Sequence, residues 1–189
     1  RLALPKARLI LVYKEANKPY LDEVIRETRL QAGEDDLVLG GKERQDSVYL
    51  GLKAMPEDIC EVFIHDGARP FVSKSLMESL VQGLETAEGV IPLIKVTDTV
   101  KVIKDGFIEK TLPREMLGLA QTPQAFKRQL ILDLHERARK EKMLFTDDAS
   151  LCEYYDIRVK AVPGEATNRK ITIQEDLAWA EWRLACELE

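Results

Sequence analysis

This 189-residue chain has little of what redox, metal or hydrolytic chemistry needs: three cysteines and two histidines. Cys60, Cys152 and Cys186 are scattered and odd in number, with no Cys-x-x-Cys. They read as reduced thiols, not as a disulfide framework or a metal cluster. Long apolar runs are missing as well. A bilayer-crossing helix needs about 20 such residues, and no signal-peptide pattern opens the chain. A cytoplasmic protein with no membrane attachment is expected. The net charge of −5 gives no bulk attraction to nucleic acid. Neither His65 nor His135 has an acid partner visible in the sequence, and there is no Gly-x-Ser-x-Gly elbow.

What is present is the composition of a folded α/β chain, 45% hydrophobic and 32% charged, long enough for one domain with a sizeable core. Residues 8–13 read as a buried strand and 20–31 as a helix. Residues 36–39 read as a short strand, 44–55 as a helix, and 61–65 as a further central strand. Ser73 is placed to cap a helix through Leu76, Leu80 and Leu84, and 89–93 form the next strand. Strand–helix units in succession predict a mostly parallel sheet with helices on both faces.

The pattern changes at 99–111, where β-prone runs flank Asp105-Gly106, a strong hairpin turn signal. Three lysines make this segment too exposed for a central strand, so an arm spanning about 95–118 is expected, either against a partner subunit or folded back on its own domain. Residues 127–140 and 147–155 read as helices, 157–162 as a strand and 170–173 as another short one. Thr172-x-x-Glu175 reads as a capping box for a last helix.

Ligands of such sheets bind beyond the carboxyl ends of the strands. The Gly40-Gly41 pair followed by Ser47 is either a backbone approach to a ligand or a plain turn and cap. Asp66-Gly67-Ala68-Arg69, after the 61–65 strand, is either a carboxylate for a divalent ion with an anion-holding arginine, or a turn locked by an Arg–Asp pair. Arg114 and Thr122 precede or lie within Gln121-Thr122-Pro123-Gln124, a phosphate-orienting segment or a proline-set turn. Lys170 either neutralises charge on a transferring phosphate or is a surface lysine. The lack of a general base suits nucleotidyl transfer, in which the attacking group is already an ionised phosphate.

Ile64-His-Asp-Gly-Ala-Arg-Pro-Phe-Val72, Asp98-Thr99, Leu119-Ala-Gln-Thr-Pro-Gln-Ala-Phe126, Thr146-Asp-Asp-Ala-Ser-Leu-Cys-Glu153 and Asn168-Arg-Lys-Ile-Thr-Ile-Gln-Glu-Asp-Leu177 together resemble the 2-C-methyl-D-erythritol 4-phosphate cytidylyltransferases. Gly40-Gly41-x-x-Arg44-x-x-Ser47-Val48 is similar to that family's cytosine-side loop, and the match runs in order from about residue 8 to 181. The resemblance implies a Rossmann-like nucleotidyltransferase fold, one domain over 1–189, and a homodimer joined through the arm. It implies transfer of CMP from CTP to methylerythritol phosphate with a divalent ion, usually Mg2+.

By the same resemblance Gly41, Ser47, Gly67, Asp66 and Lys170 would hold the nucleotide, with Asp66 also serving the metal. Arg69, Thr99, Arg114 and Thr122 would surround the acceptor, some of them supplied by the partner subunit. Asp66, Lys170 and Arg114 would be the catalytic set. Gly67 stands where alanine is frequent in the family, and Lys42 where some members carry an acidic residue. Family members open with a strand and a glycine-rich loop ending in Pro-Lys. Pro5-Lys6 lies too close to the 8–13 strand to be that loop, so these residues are expected to be either the ordered part of a longer protein or a chain from which the loop is absent. A ribitol 5-phosphate cytidylyltransferase and a non-catalytic nucleotide-binding dimer are the alternatives.

Overall fold

The computed structural model describes residues 7–28 and 36–187. Pro5-Lys6 and the end of the helix expected over 20–31 lie outside them. Strand β1 (Leu11–Tyr13) pairs in parallel with β2 (Leu37–Leu39), joined through α1 (Lys18–Thr28). Neither strand is buried, and Val12 is 39% exposed, so the interior strand expected at 8–13 is shorter and more open than its composition suggests.

Among the described residues the main sheet has five strands: β3 (Glu61–Ile64), β4 (Gly89–Lys95), β7 (Gly118–Ala120), β8 (Gln124–Lys127) and β9 (Val159–Pro163). Its helices are α2 (Arg44–Ala54), α3 (Lys74–Leu84), α4 (Arg128–Glu141), α5 (Asp148–Tyr154) and α6 (Gln174–Glu187). Helices cover both faces, as expected. Along β4, Val90 joins Leu76, Leu80 and Leu84 of α3, while its neighbour Ile91 turns to the cluster built from α4 and α5. Along β8, Ala125 and Phe126 divide in the same way, and Phe126 is fully buried.

The strand directions need correction. β3, β4 and β9 run one way, but β8 enters between β3 and β4 in the opposite sense, and β7 is antiparallel to β4. The sheet is therefore mixed, with β4–β9 its parallel pair. β3 is not central either: among the described residues it pairs with β8 alone, where Glu61 meets its register partner Lys127 in an ion pair of 2.7 Å. β7 and β8 share one edge of β4 and are separated by Gln121, Thr122 and Pro123, with a cis peptide between the last two.

The arm forms as expected. β5 (Val100–Lys104) and β6 (Phe107–Leu112) make a sheet of their own. Asp105 (φ 50°) and Gly106 (φ 83°) are both left-handed, the conformation that lets a two-residue turn follow the strand twist. Ser73 Oγ accepts the Leu76 amide at 3.0 Å and caps α3, a contact worth about 1 kcal/mol.

Two local expectations fail. Residues 170–173 form no strand, because the Thr172 and Ile173 amides are spent on the Asp176 carboxylate at 2.9 and 3.2 Å. The cap of α6 comes from Asp176, not Glu175. Its carboxylate accepts the amide and hydroxyl of Thr172 and the amide of Ile173, and these bonds hold its pKa down at about 2. Along α6, Ala180 is buried while Leu177, Trp182 and Leu184 face outward.

Candidate active site

β3 ends at Ile64 and delivers His65 and Asp66 into a tight loop closed by Arg69 N–H on Asp66 O at 3.0 Å. The β7–β8 bend comes alongside. Thr122 Oγ1 accepts the Asp66 amide at 2.9 Å and lies 3.0 Å from His65 Nδ1. Arg69 O can only accept, so His65 Nε2, 2.9 Å away, carries the imidazole proton, and Nδ1 accepts the proton of the Thr122 hydroxyl. Burial lowers the His65 pKa further, and the ring is a neutral strut.

The approach to α6 closes the cluster. Asn168 is fully buried; its carbonyl accepts Arg69 Nη1 at 2.8 Å and Gln121 Nε2 at 3.1 Å. Its side-chain amide donates to Thr122 O at 2.8 Å. Two residues later Lys170 emerges, half-exposed, with Nζ 3.1 Å from Asp66 Oδ2.

Asp66 is thus ringed by cations: Lys170 at 3.1 Å, Arg69 at 3.5 Å and Arg44 at 3.9 Å. Burial pushes its pKa up, but the Lys170 hydrogen bond and the charges of Lys170, Arg44 and Arg69 outweigh that and leave it below the ordinary value of 3.8. The carboxylate is ionised at any physiological pH, and the cluster carries more positive than negative charge. Such a ring stabilises a polyanion whose charge grows during reaction.

A second lobe lies at the start of α2. Gly41 N–H donates to Ser47 Oγ at 3.1 Å, and the Ser47 hydroxyl donates to Glu43 O at 3.2 Å. A Cβ on Gly41 would sit 2.3 Å from Asp46 Cβ, so close packing requires glycine there. Gly67 differs: a Cβ would meet nothing within 4 Å. Between α1 and the α2 loop is an open cavity of about 700 Å³ whose lining includes Tyr13, Tyr20, Gly41, Lys42, Arg44 and Ser47.

Of the sequence-predicted residues, Asp66, Arg69, Thr122 and Lys170 come together, with the Gly67 backbone beside them. Gly41 and Ser47 line the adjoining cavity. Arg114 and Thr99 stay apart. Arg114 Nη1 donates to Thr97 O at 2.6 Å, Nε is 3.7 Å from Glu115, and Thr99 is exposed; no hydrogen bond or ion pair joins either to Asp66 or Lys170.

Arg44, Gln121 and Asn168 were not singled out by the sequence reading. Their roles arise from contacts across the fold, although each lies in a motif that carries the resemblance. His135 also needs correction, since its Nε2 is 2.9 Å from Asp148 Oδ1. Among the described residues no group of three or more His, Cys, Asp or Glu side chains converges as a metal cage. No described helix is long and apolar enough to cross a membrane.

A family model described as 2-C-methyl-D-erythritol 4-phosphate cytidylyltransferase matches residues 5–185. A protein of that name from Shouchella clausii is 43% identical over 171 residues, 90% of this chain and 74% of the relative. One from Geobacillus kaustophilus is 41% identical over 182 residues, 96% of this chain and 78% of the relative. The crystal structure of 4-diphosphocytidyl-2C-methyl-D-erythritol synthase from Anaerococcus prevotii superposes with a TM-score of 0.84 at 33% identity, covering 96% of this chain and 81% of that one.

Proposed function

The chain belongs to the 2-C-methyl-D-erythritol 4-phosphate cytidylyltransferase family and is a nucleotidyltransferase, and from that premise we propose how its cleft carries out the transfer. An ionised phosphate oxygen of methylerythritol phosphate attacks the α-phosphorus of CTP. The new P–O bond forms as the bond to the β-phosphate bridging oxygen breaks, and pyrophosphate leaves with that electron pair. The product is 4-diphosphocytidyl-2-C-methyl-D-erythritol, an isoprenoid precursor. No proton has to be removed, so the protein contributes alignment and charge.

The observation that carries this reading is the Asp66 ring. Lys170, at 3.1 Å from Asp66 and half-exposed, faces the cleft and offsets the negative charge gathering on the α-phosphate. Arg69 and Thr122 stand next to it for the acceptor. The α2 loop with Gly41 and Ser47 takes the cytosine side, and the Gly67 backbone admits close approach of the nucleotide.

Asp66 also suits a divalent ion such as Mg2+. Its Oδ1 has Arg44 no closer than 3.9 Å, which leaves an oxygen to coordinate. With no further carboxylate cage among the described residues, the other ligands would be water and nucleotide phosphates, as is usual for this ion. Bound there, it would neutralise phosphate charge.

The homodimer is proposed through the arm, whose Ile103, Phe107 and Ile108 are each at least 67% exposed in the single chain. Arg114 and Thr99 would then serve the partner's cleft, with Arg114 fixing the sugar phosphate. Cytoplasmic residence is proposed with it. The test is pyrophosphate release from CTP with methylerythritol phosphate, run beside ribitol 5-phosphate. Turnover with the first acceptor is expected. Preference for ribitol phosphate would overturn the acceptor assignment, and nucleotide binding without pyrophosphate would overturn catalysis.

A further inference from the structure

One buried polar cluster has no part in the transfer described above. His135 and Asp148 are each 1% exposed, and Asp148 uses its two oxygens on different partners: His135 Nε2 at 2.9 Å and Arg44 Nη2 at 2.9 Å. His135 Nδ1 is buried with no hydrogen-bond partner, so the ring is held through Nε2, which donates to Asp148 Oδ1. A carboxylate withdrawn this far from water adds little stability, since apolar side chains of similar volume commonly serve as well.

The cluster also marks a junction of three helices. Asp148 is the first residue of α5, Arg44 the first of α2, and His135 lies within α4. Gln45 braces the same junction, donating to Met143 O at 3.1 Å and accepting the Phe145 amide at 2.9 Å. Arg44 leads out of the interior: it lines the cavity beside Gly41 and Ser47, and its Nε stands 3.9 Å from Asp66 Oδ1.

We propose that Arg44 is a positioning residue for the transfer, pinned by the buried Asp148–His135 pair so that the base-side loop is held at a fixed spacing from Asp66. The inference rests on the cytidylyl-transfer reading of the cleft. An untethered arginine samples many rotamers; one anchored at Nη2 presents its remaining donors in a set plane before nucleotide arrives. The planar fork reaches two carboxylates at once, whereas a lysine keeps the charge but not the span.

A double-mutant cycle tests this, with kcat and KM for CTP, CTP affinity by calorimetry and melting temperature measured on Arg44→Met, Asp148→Asn and the double variant. Each single change is expected to lower kcat/KM by about 10-fold, within the range for residues sharing one network. The double variant is expected to be no worse than Arg44→Met, because Asp148 acts through Arg44, and Arg44→Lys to recover only part of the loss. Losses that multiply in the double variant, or a folded Asp148→Asn protein with parental kcat/KM, would overturn the proposal. If Asp148→Asn does not fold, the two Arg44 variants decide, and parental kcat/KM in both overturns it. Parent protein that neither binds nor consumes CTP overturns the cytidylyl-transfer reading itself, and this inference with it.

Discussion

The cleft and the arm distribute polar and apolar groups in opposite ways. Around Asp66 the polar groups are drawn inward and paired: the Thr122 hydroxyl serves both Asp66 and His65, and Asn168 ties Arg69 to the β7–β8 bend. On the arm the hydrophobic side chains are turned outward, with Phe107 79% and Ile103 68% exposed. A hairpin of two strands has no interior in which to place them. The cleft is held by its own chain, while the arm leaves its apolar side chains uncovered in the single chain.

The largest effect that would break this comparison lies in the cleft. Lys170→Ala or Asp66→Ala is expected to cut turnover by at least about 100-fold with the circular dichroism of the parent, the loss typical for one oriented charge at a reacting centre. A folded variant with near-normal turnover would remove that residue from the chemistry. On the arm, Phe107→Asp is expected to weaken the proposed dimer by about 2 kcal/mol, roughly 30-fold, while leaving each subunit folded. Sedimentation of the variant at several concentrations would register the shift; a dimer of unchanged strength would take the arm out of the assembly.

Smaller effects sharpen the cleft side. Gly41→Ala forces a Cβ against Asp46 and is expected to cost about 1–3 kcal/mol of stability. Gly67→Ala, facing open space, should stay within about 0.5 kcal/mol. Melting curves of both proteins test the pair, and equal losses would show that crowding at Gly41 is relieved by movement.

The smallest expected effect is chemical. Burial pushes the Cys152 thiol up to about 12, so it should resist alkylation at pH 8 in the native protein and react only after unfolding. Exposed Cys60 and Cys186 should react at once. Rapid native labelling of Cys152 would mean that the interior opens far more often than its packing implies.

How much of this was legible in the sequence follows from how local each signal is. Asp105-Gly106 announces its turn because an Asp-Gly pair readily takes the two adjacent left-handed conformations that a two-residue hairpin demands. Ser73 announces its cap, and Asp66 its place at a strand end. Lys170 was found through its motif, although the strand expected around it does not form. The reversed strands β7 and β8 were hidden because they are short and flank a proline that reads as a turn. Asp176 displaced Glu175 as the cap by a one-residue difference that spacing rules do not resolve. The His135–Asp148 pair, and Arg44 as the bridge to Asp66, depend on how α2, α4 and α5 meet, and nothing in a local window reports that.

The shared edge of β4 has one more consequence. The chain leaves the sheet at Lys95 and re-enters at Gly118, and these two residues face each other across the ladder. In topological terms the whole arm is an overgrown hairpin loop, an appendix to the sheet whose strands, among the described residues, pair only with each other. Excising it and joining the two ends with a tight turn would leave the β4–β7 rungs intact. The arm can thus lengthen, shorten or change its surface in evolution or by design while the scaffold beneath keeps its connectivity.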